Sequence, residues 1–381
     1  MGSEHAHVLG SQLAPSSVRL RIEVISLRSK NLSYARGRTI LHWWDAYSVP
    51  EDAPPPFNDA AEWGIVPAWG FARVTDTTIP SIAVGSRLWV DDLGSLGRDE
   101  PAPEQPHDHV QPLQYMPADK PLDDIFAAFR CLFPVFESGH LLNQAVFAAA
   151  PATAGPIHPL GLPHLPWTDE NADLTGAAVV SLSAASKTGR SLAWQLARNR
   201  DRAGGDPTLA AFAESDGQTP SLAIKLAAYT NPISEALSWI REAAPTRVVV
   251  LDFGSPAAVL DSFMGALTAS AVAPTTAIQV GQEPKVFTAD EMAAFPAQSK
   301  RLGKVQFNTS GVRDRALEAA GAAEYSRALD EAWERFYREK GLGDISLPRL
   351  AGVEGAGGIE GAWQDLCTGK ITPGIGIVVD L

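Results

Sequence analysis

Residues 18–26 set Val18, Leu20, Ile22, Val24 and Ser26 on one side and Arg19, Arg21 and Glu23 on the other. A period of two predicts a strand with one wet face. Short β-prone runs follow at 70–74 and 86–90, and the proline- and acid-rich stretches 52–56 and 98–112 read as surface loops. The first third of the chain is therefore expected to be β-rich. From Asp123 the period changes: Ile125, Phe126, Phe129, Leu132, Phe133 and Phe136 recur at spacings of three and four, which predicts helix. The proline-rich stretch 151–166 then reads as a domain crossover.

Beyond Ala177 strands and helices alternate. The pattern predicts strands at 177–182, 208–213, 247–252 and 276–280, and helices at 188–198, 221–228, 233–242 and 256–266. Such a rhythm implies an α/β fold with a Rossmann-like, doubly wound parallel sheet. The ligand of such a sheet sits outside the carboxyl ends of the strands, where loops 183–188, 214–216, 253–255 and 281–283 converge. A charged helix at 323–340, a glycine-rich turn at 352–358, a helix at 361–367 and a strand at 374–379 complete the chain.

Composition narrows the classes. At 381 residues the chain exceeds what one core usually serves, so two domains are expected. An apolar fraction of 45% with 20% charged residues is that of a globular protein. No apolar stretch reaches the roughly 20 residues of a membrane helix, and residues 1–17 lack the apolar core of a secretory signal, so a cytoplasmic protein without a membrane partner is expected. Cys131 and Cys367 alone make neither a disulfide framework nor a four-cysteine zinc site. The net charge of −13 is spread without a Lys/Arg block, which argues against nucleic acid but leaves room for a local cationic pocket.

The run Val179-Val180-Ser181-Leu182-Ser183-Ala184-Ala185-Ser186-Lys187-Thr188-Gly189 ends a buried strand and opens a helix with small residues. A pyrophosphate can approach backbone N–H groups there, with Ser183, Ser186, Lys187 and Thr188 as further donors. Ser181 and Ser186 occupy the glycine positions of a P-loop, which disfavours a nucleoside triphosphatase, and G-x-G-x-x-G is also missing. An ordinary strand-to-helix turn with a Ser/Thr cap thus remains open beside a cofactor loop. At the end of the second strand Glu214 suits the ribose hydroxyls of NAD and Ser215 the 2′-phosphate of NADP. Trp43, Trp44, Trp63 and Trp69 are dense enough to line a flat apolar substrate pocket or to pack a core. His107 and His109, in a proline-rich acidic loop, read as solvated, and no metal site is expected.

The stretch 65–74, Ile-Val-Pro-Ala-Trp-Gly-Phe-Ala-Arg-Val, followed by 79–88, resembles the segment of medium-chain dehydrogenases/reductases that reads Pro-Gly-His-Glu, Gly-x-Val, Val-Gly-Asp-x-Val. Residues 24–34, with Asn31, resemble their first strand and Asn-x-x-Asp turn. A closer resemblance, to a domain-of-unknown-function branch, runs through Trp43-Trp44-Asp45, 63–71, 183–188 and Val280-Gly281. It implies a β-rich, GroES-like catalytic domain from residues 1–145 and 288–381 around a Rossmann-like domain at 146–287. It implies no zinc, since Trp69-Gly70-Phe71-Ala72 stands in place of His-Glu. The activity implied is reduction of a carbonyl or activated double bond of an apolar or aromatic small molecule by NADP(H), with NAD the alternative. Asn31, Phe253 and Gly281 would line the cofactor, Tyr34 would be the first proton donor with Tyr47 and Tyr115 next, and Trp44 and Trp69 would face substrate. A homodimer through sheet edges is expected. A lyase, hydratase or isomerase using the same cleft, or a non-catalytic cofactor-binding protein, are the competing readings.

Overall fold

The computed structural model describes residues 13–37, 43–46, 48–49, 51, 53–90, 131–147, 155–198, 208–212, 232–270, 274–343 and 345–381. Tyr47, His107, His109, Tyr115, Glu214, Ser215 and the helix expected at 221–228 lie outside these residues. In chain order the strands are β1 (Val18–Leu27), β2 (Trp69–Thr77), β3 (Arg87–Val90), β4 (Ala177–Leu182), β5 (Thr208–Phe212), β6 (Arg247–Phe253), β7 (Thr275–Gly281), β8 (Lys304–Gln306), β9 (Arg349–Ala351) and β10 (Ile377–Asp380). The helices used below are α1 (Ser29–Gly37), α2 (Phe133–Leu141), α3 (Lys187–Arg198), α4 (Pro232–Ala243), α5 (Ala257–Ser270), α6 (Ala289–Leu302), α7 (Thr309–Ala320) and α8 (Ala322–Arg338).

The chain divides into two compact units. The first takes residues 1–131, 347–366 and 376–381 and holds a sheet in the order β3-β2-β1-β10-β9. β1 runs antiparallel to both β2 and β10. Over 18–23 only Arg21 is exposed and the pairing with β2 is shifted at Arg19/Leu20 and Ile22/Val24, so the strict alternation read from the sequence is not kept; Glu23 accepts from Arg73 Nε at 2.6 Å and Arg87 Nε at 2.7 Å. From Val24 onward every residue of β1 is buried, over the stretch that also pairs β10.

The second unit takes residues 132–346 and 367–375 and holds an all-parallel sheet in the order β5-β4-β6-β7-β8. All six residues of β4 and all of β6 after Arg247 are buried, the continuous apolar run that a sheet covered on both faces requires. Val180, Leu182, Ile240, Val248, Val250, Phe263 and Leu267 form its core. Each such side chain contributes about 1.5–3 kcal/mol on full burial. This is the α/β, Rossmann-like sheet expected from the strand–helix rhythm.

The bounds of the second unit differ from the 146 and 287 read from the sequence. It starts at 132 because α2 packs along α3, at a crossing where a Cβ on Gly139 would lie 2.5 Å from Ser191 Oγ. It continues to 346 because β8 pairs with β7 and because α7 and α8 pack on α2. That packing encloses Glu137, whose carboxylate accepts from Arg313 Nε at 2.8 Å and from the Tyr325 hydroxyl at 2.7 Å. The proline-rich stretch around 155–166 lies inside the second unit.

Candidate cofactor site

β4 is the first strand of its sheet in the chain, and β5 and β6 flank it on opposite sides. The sheet winds outward from this point in two directions, and in sheets of this order the ligand crevice lies outside the carboxyl ends of the strands at such a point. The loop after β4 turns sharply. Ser183 adopts φ +53°, and its carbonyl accepts from the Ser186 N–H at 3.0 Å. Ser186 then caps α3: its hydroxyl accepts from the Gly189 N–H at 3.0 Å and its carbonyl from the Arg190 N–H at 2.9 Å. From below, Arg190 Nε donates to the Ala185 carbonyl at 2.7 Å. A Cβ on Gly189 would lie 2.9 Å from the Ala184 carbonyl, so only glycine lets the helix sit this close to the turn.

Ala184 and Ala185 bring no side-chain bulk to the turn. Among the described residues the N–H groups of Ala184, Ala185 and Thr188 have no backbone partner. They stand at the N-terminus of a twelve-residue helix, where the dipole favours an anion. The ammonium of Lys187 donates to two carbonyls of the same unit, Pro373 at 3.2 Å and Ile375 at 2.6 Å.

The neighbouring loops are closely tied. Asp252, at the end of β6, is buried, and its Oδ1 accepts from the Gly254 N–H at 3.0 Å and the Ser255 N–H at 2.8 Å. Burial pushes its carboxyl above the usual range, and these donors pull it back only in part. Gly254 has φ +115°, and a Cβ there would lie 2.7 Å from the Gln282 carbonyl. Gly281 is equally confined, its Cβ position 2.6 Å from the Phe253 carbonyl.

Ser183 and Ser186 thus stand in the turn and Lys187 and Thr188 open α3 directly after it, with Phe253 and Gly281 at the carboxyl ends of β6 and β7. Asn31 and Tyr34 lie in the first unit, on α1. Asn31 is fully buried; its Oδ1 accepts from the Arg28 N–H at 2.6 Å and its Nδ2 donates to the Pro67 carbonyl at 2.8 Å, fastening the start of α1 to the chain before β2. Tyr34 is half-buried. Trp69 is enclosed, with its Nε1 donating to the Cys131 carbonyl at 3.2 Å and the Arg28 guanidinium 4.7 Å from its ring centre. The Trp44 ring packs on the backbone of Gly64. Sequence reasoning missed Asp252 and, although it named the run through Gly189 and the loop 253–255, gave Gly189 and Gly254 no role of their own. Asp252-Phe253-Gly254-Ser255 carried a signal, an acid followed by a turn directly after a buried strand.

Among the described residues no three His, Cys, Asp or Glu side chains are placed to hold a metal ion. None of their helices is long and apolar enough to cross a membrane. The profile of the family described as "Protein of unknown function (DUF2855)" matches residues 25–89 and 105–372. The chain belongs to the DUF2855 family. No curated protein matches this DUF2855 chain in sequence. Among solved structures, galactitol-1-phosphate dehydrogenase from Escherichia coli is similar at a TM-score of 0.48 and 11% identity, over 98% of this chain and 94% of that one. L-idonate 5-dehydrogenase from Escherichia coli str. K-12 substr. MG1655 is similar at 0.42 and 10%, over 95% and 90%. At these scores the site's chemistry is read from the chain's own residues.

Proposed function

We propose that this protein is an oxidoreductase that binds NADP(H), with NAD the alternative, and reduces a carbonyl or an activated double bond of an apolar or aromatic molecule without zinc. The observation that carries the proposal is the β4–turn–α3 unit at the switch point of a parallel sheet, where small residues and, among the described residues, three N–H groups without a backbone partner stand at a helix N-terminus. The turn fits a pyrophosphate: Ala184 and Ala185 leave room, and the backbone N–H groups of Ala184, Ala185 and Thr188 with the hydroxyls of Ser183 and Thr188 are its donors. Asp252 holds the facing loop in shape through two backbone N–H groups. When bound, the dinucleotide supplies a hydride. The Tyr34 hydroxyl supplies the proton in this reading, with Tyr47 and Tyr115 as the other donors, and Glu214 and Ser215 decide between NAD and NADP.

The test is a fluorescence titration with NADPH and NADH, on the wild type and on Thr188→Asp. A carboxylate in the first turn of α3 favours the helix dipole, by about 0.3–1 kcal/mol, yet repels a phosphate. The melting temperature is therefore expected to hold or rise while Kd for the preferred cofactor increases about tenfold or more, equivalent to roughly 1.4 kcal/mol. Wild-type protein that binds neither cofactor overturns the proposal. Binding without oxidation of NADPH in the presence of enones or aromatic aldehydes replaces it with a lyase, hydratase or isomerase that uses the same cleft.

A further inference from the structure

Lys187 is misplaced for an ordinary helix residue. It is the first residue of α3, where a cation opposes the helix dipole. Its ammonium is nevertheless engaged by two backbone carbonyls, those of Pro373 and Ile375, from a segment some 186 positions further along the chain. That segment is itself ordered by turns and pairing: the Ile375 N–H donates to the Thr372 carbonyl at 3.0 Å, the Ser346 N–H donates to the Gly374 carbonyl at 2.9 Å, and Ser346 and Ile375 form a parallel bridge. At its other end, Gly369 has φ +69°, and its Cβ position lies 3.8 Å from the Pro284 carbonyl, in the loop after β7.

The latch and the point of approach lie beyond the ends of different strands of one sheet. Lys187 follows β4, Pro284 follows β7, and β6 lies between them. Neighbouring strands stand about 4.8 Å apart, so the carboxyl ends of β4 and β7 are separated by about 10 Å. The six steps from Gly369 to Ile375 can span up to about 20 Å, ample to cross that gap.

We infer that residues 369–375 form a strap across the carboxyl-end crevice of the second unit and that Lys187 is its latch. Lys187 is thus a positioning residue, acting through the strap's carbonyls. The phosphates of a dinucleotide are left to the backbone amides and hydroxyls of the turn. A ligand in the crevice lies under the strap and leaves more slowly while the latch is made. The strap itself stands on the geometry above; its effect on ligand release rests on the NADP(H) reading.

Hydrogen–deuterium exchange on the ligand-free full chain, comparing wild type with Lys187→Met, tests the latch. The amides of Ser346 and Ile375 are expected to exchange about tenfold faster in the variant, while the amides of the central turns of α3 keep their rates. Lys187→Arg, which retains charge and donors, is expected to restore protection; it and Lys187→Gln carry the same comparison if the methionine variant does not fold. Unchanged exchange at Ser346 and Ile375 overturns the inference. In stopped-flow, NADPH is expected to dissociate several times faster from Lys187→Met with its association rate held. A hundredfold loss of NADPH affinity with unchanged exchange makes Lys187 a phosphate ligand and also overturns it. Protein that binds no nucleotide ends the NADP(H) reading, and the exchange comparison still decides the strap.

Discussion

At the scale of single residues, Ser183 explains how the turn after β4 closes without a glycine. A turn this tight needs a positive φ, and Ser183 adopts it at +53° without being glycine. Such a conformation costs an ordinary residue about 1–2 kcal/mol. Replacing Ser183 by glycine is therefore expected to hold or raise the melting temperature. Ser183→Val, whose branched Cβ resists the left-handed region, is expected to lower stability by about 1–2 kcal/mol in urea unfolding. A valine variant as stable as wild type would mean that the turn carries no strain. The close packing of α3 on the turn is kept by Gly189. The loop's small-residue character was thus legible in the sequence, whereas its tight turn was hidden by a serine in a conformation that favours glycine. The partners of Lys187 were not legible, because they lie at the far end of the chain.

At the scale of elements, α2 and α3 are joined by a polar chain whose direction is fixed by its last member. The Phe136 carbonyl can only accept, so the Ser191 hydroxyl donates to it at 2.9 Å. Ser191 Oγ then accepts from Gln195 Nε2 at 3.2 Å, which leaves Gln195 Oε1 facing His140 Nδ1 at 2.9 Å. The His140 proton therefore sits on Nδ1. Burial pushes this imidazole down to about 4, against the opposing pull of the Gln195 bond. The unfolded chain takes up a proton near pH 6.5 that folded His140 refuses, so this contribution is full above pH 6.5 and is lost as pH falls towards 4. At about 1.4 kcal/mol per unit, the loss by pH 4.5 amounts to roughly 2–3 kcal/mol. Urea unfolding at pH 7.5 and 4.5 is expected to show a pH dependence smaller by about that amount in His140→Leu. Equal slopes in the two proteins would sink this account.

The same scale shows which elements the sequence announced. β4 runs Ala177–Leu182 as read, because six consecutive buried residues leave no other period. By contrast, α6, β8 and α7 were not expected from the sequence between 288 and 320, and they lie in the second unit. α6 carries Pro296 in its interior, and α7 buries only Val312 and Arg313, so neither shows a strong apolar stripe. β8 is a three-residue edge strand whose signal is its pairing with β7.

At the scale of the whole molecule, a net charge of −13 acts on any anionic ligand before it reaches the turn. Like charges repel over a Debye length that shrinks from about 30 Å at 0.01 M salt to about 8 Å at 0.15 M. Under the proposed function, the association rate of NADPH is therefore expected to rise as salt increases over that range, the reverse of steered binding. A rate that falls with salt would place a dominant cationic field at the crevice. The order of strands in the first unit bears on something else, the making of the protein. β10 fills the place between β1 and β9, yet it is the last strand of that sheet to be synthesised. During translation β1 has a bare edge until residues 377–380 leave the ribosome, although β2 and β3 can already pair beside it. For that interval the nascent chain offers an unpaired strand edge to any other nascent chain nearby, an edge that a chaperone would have to cover.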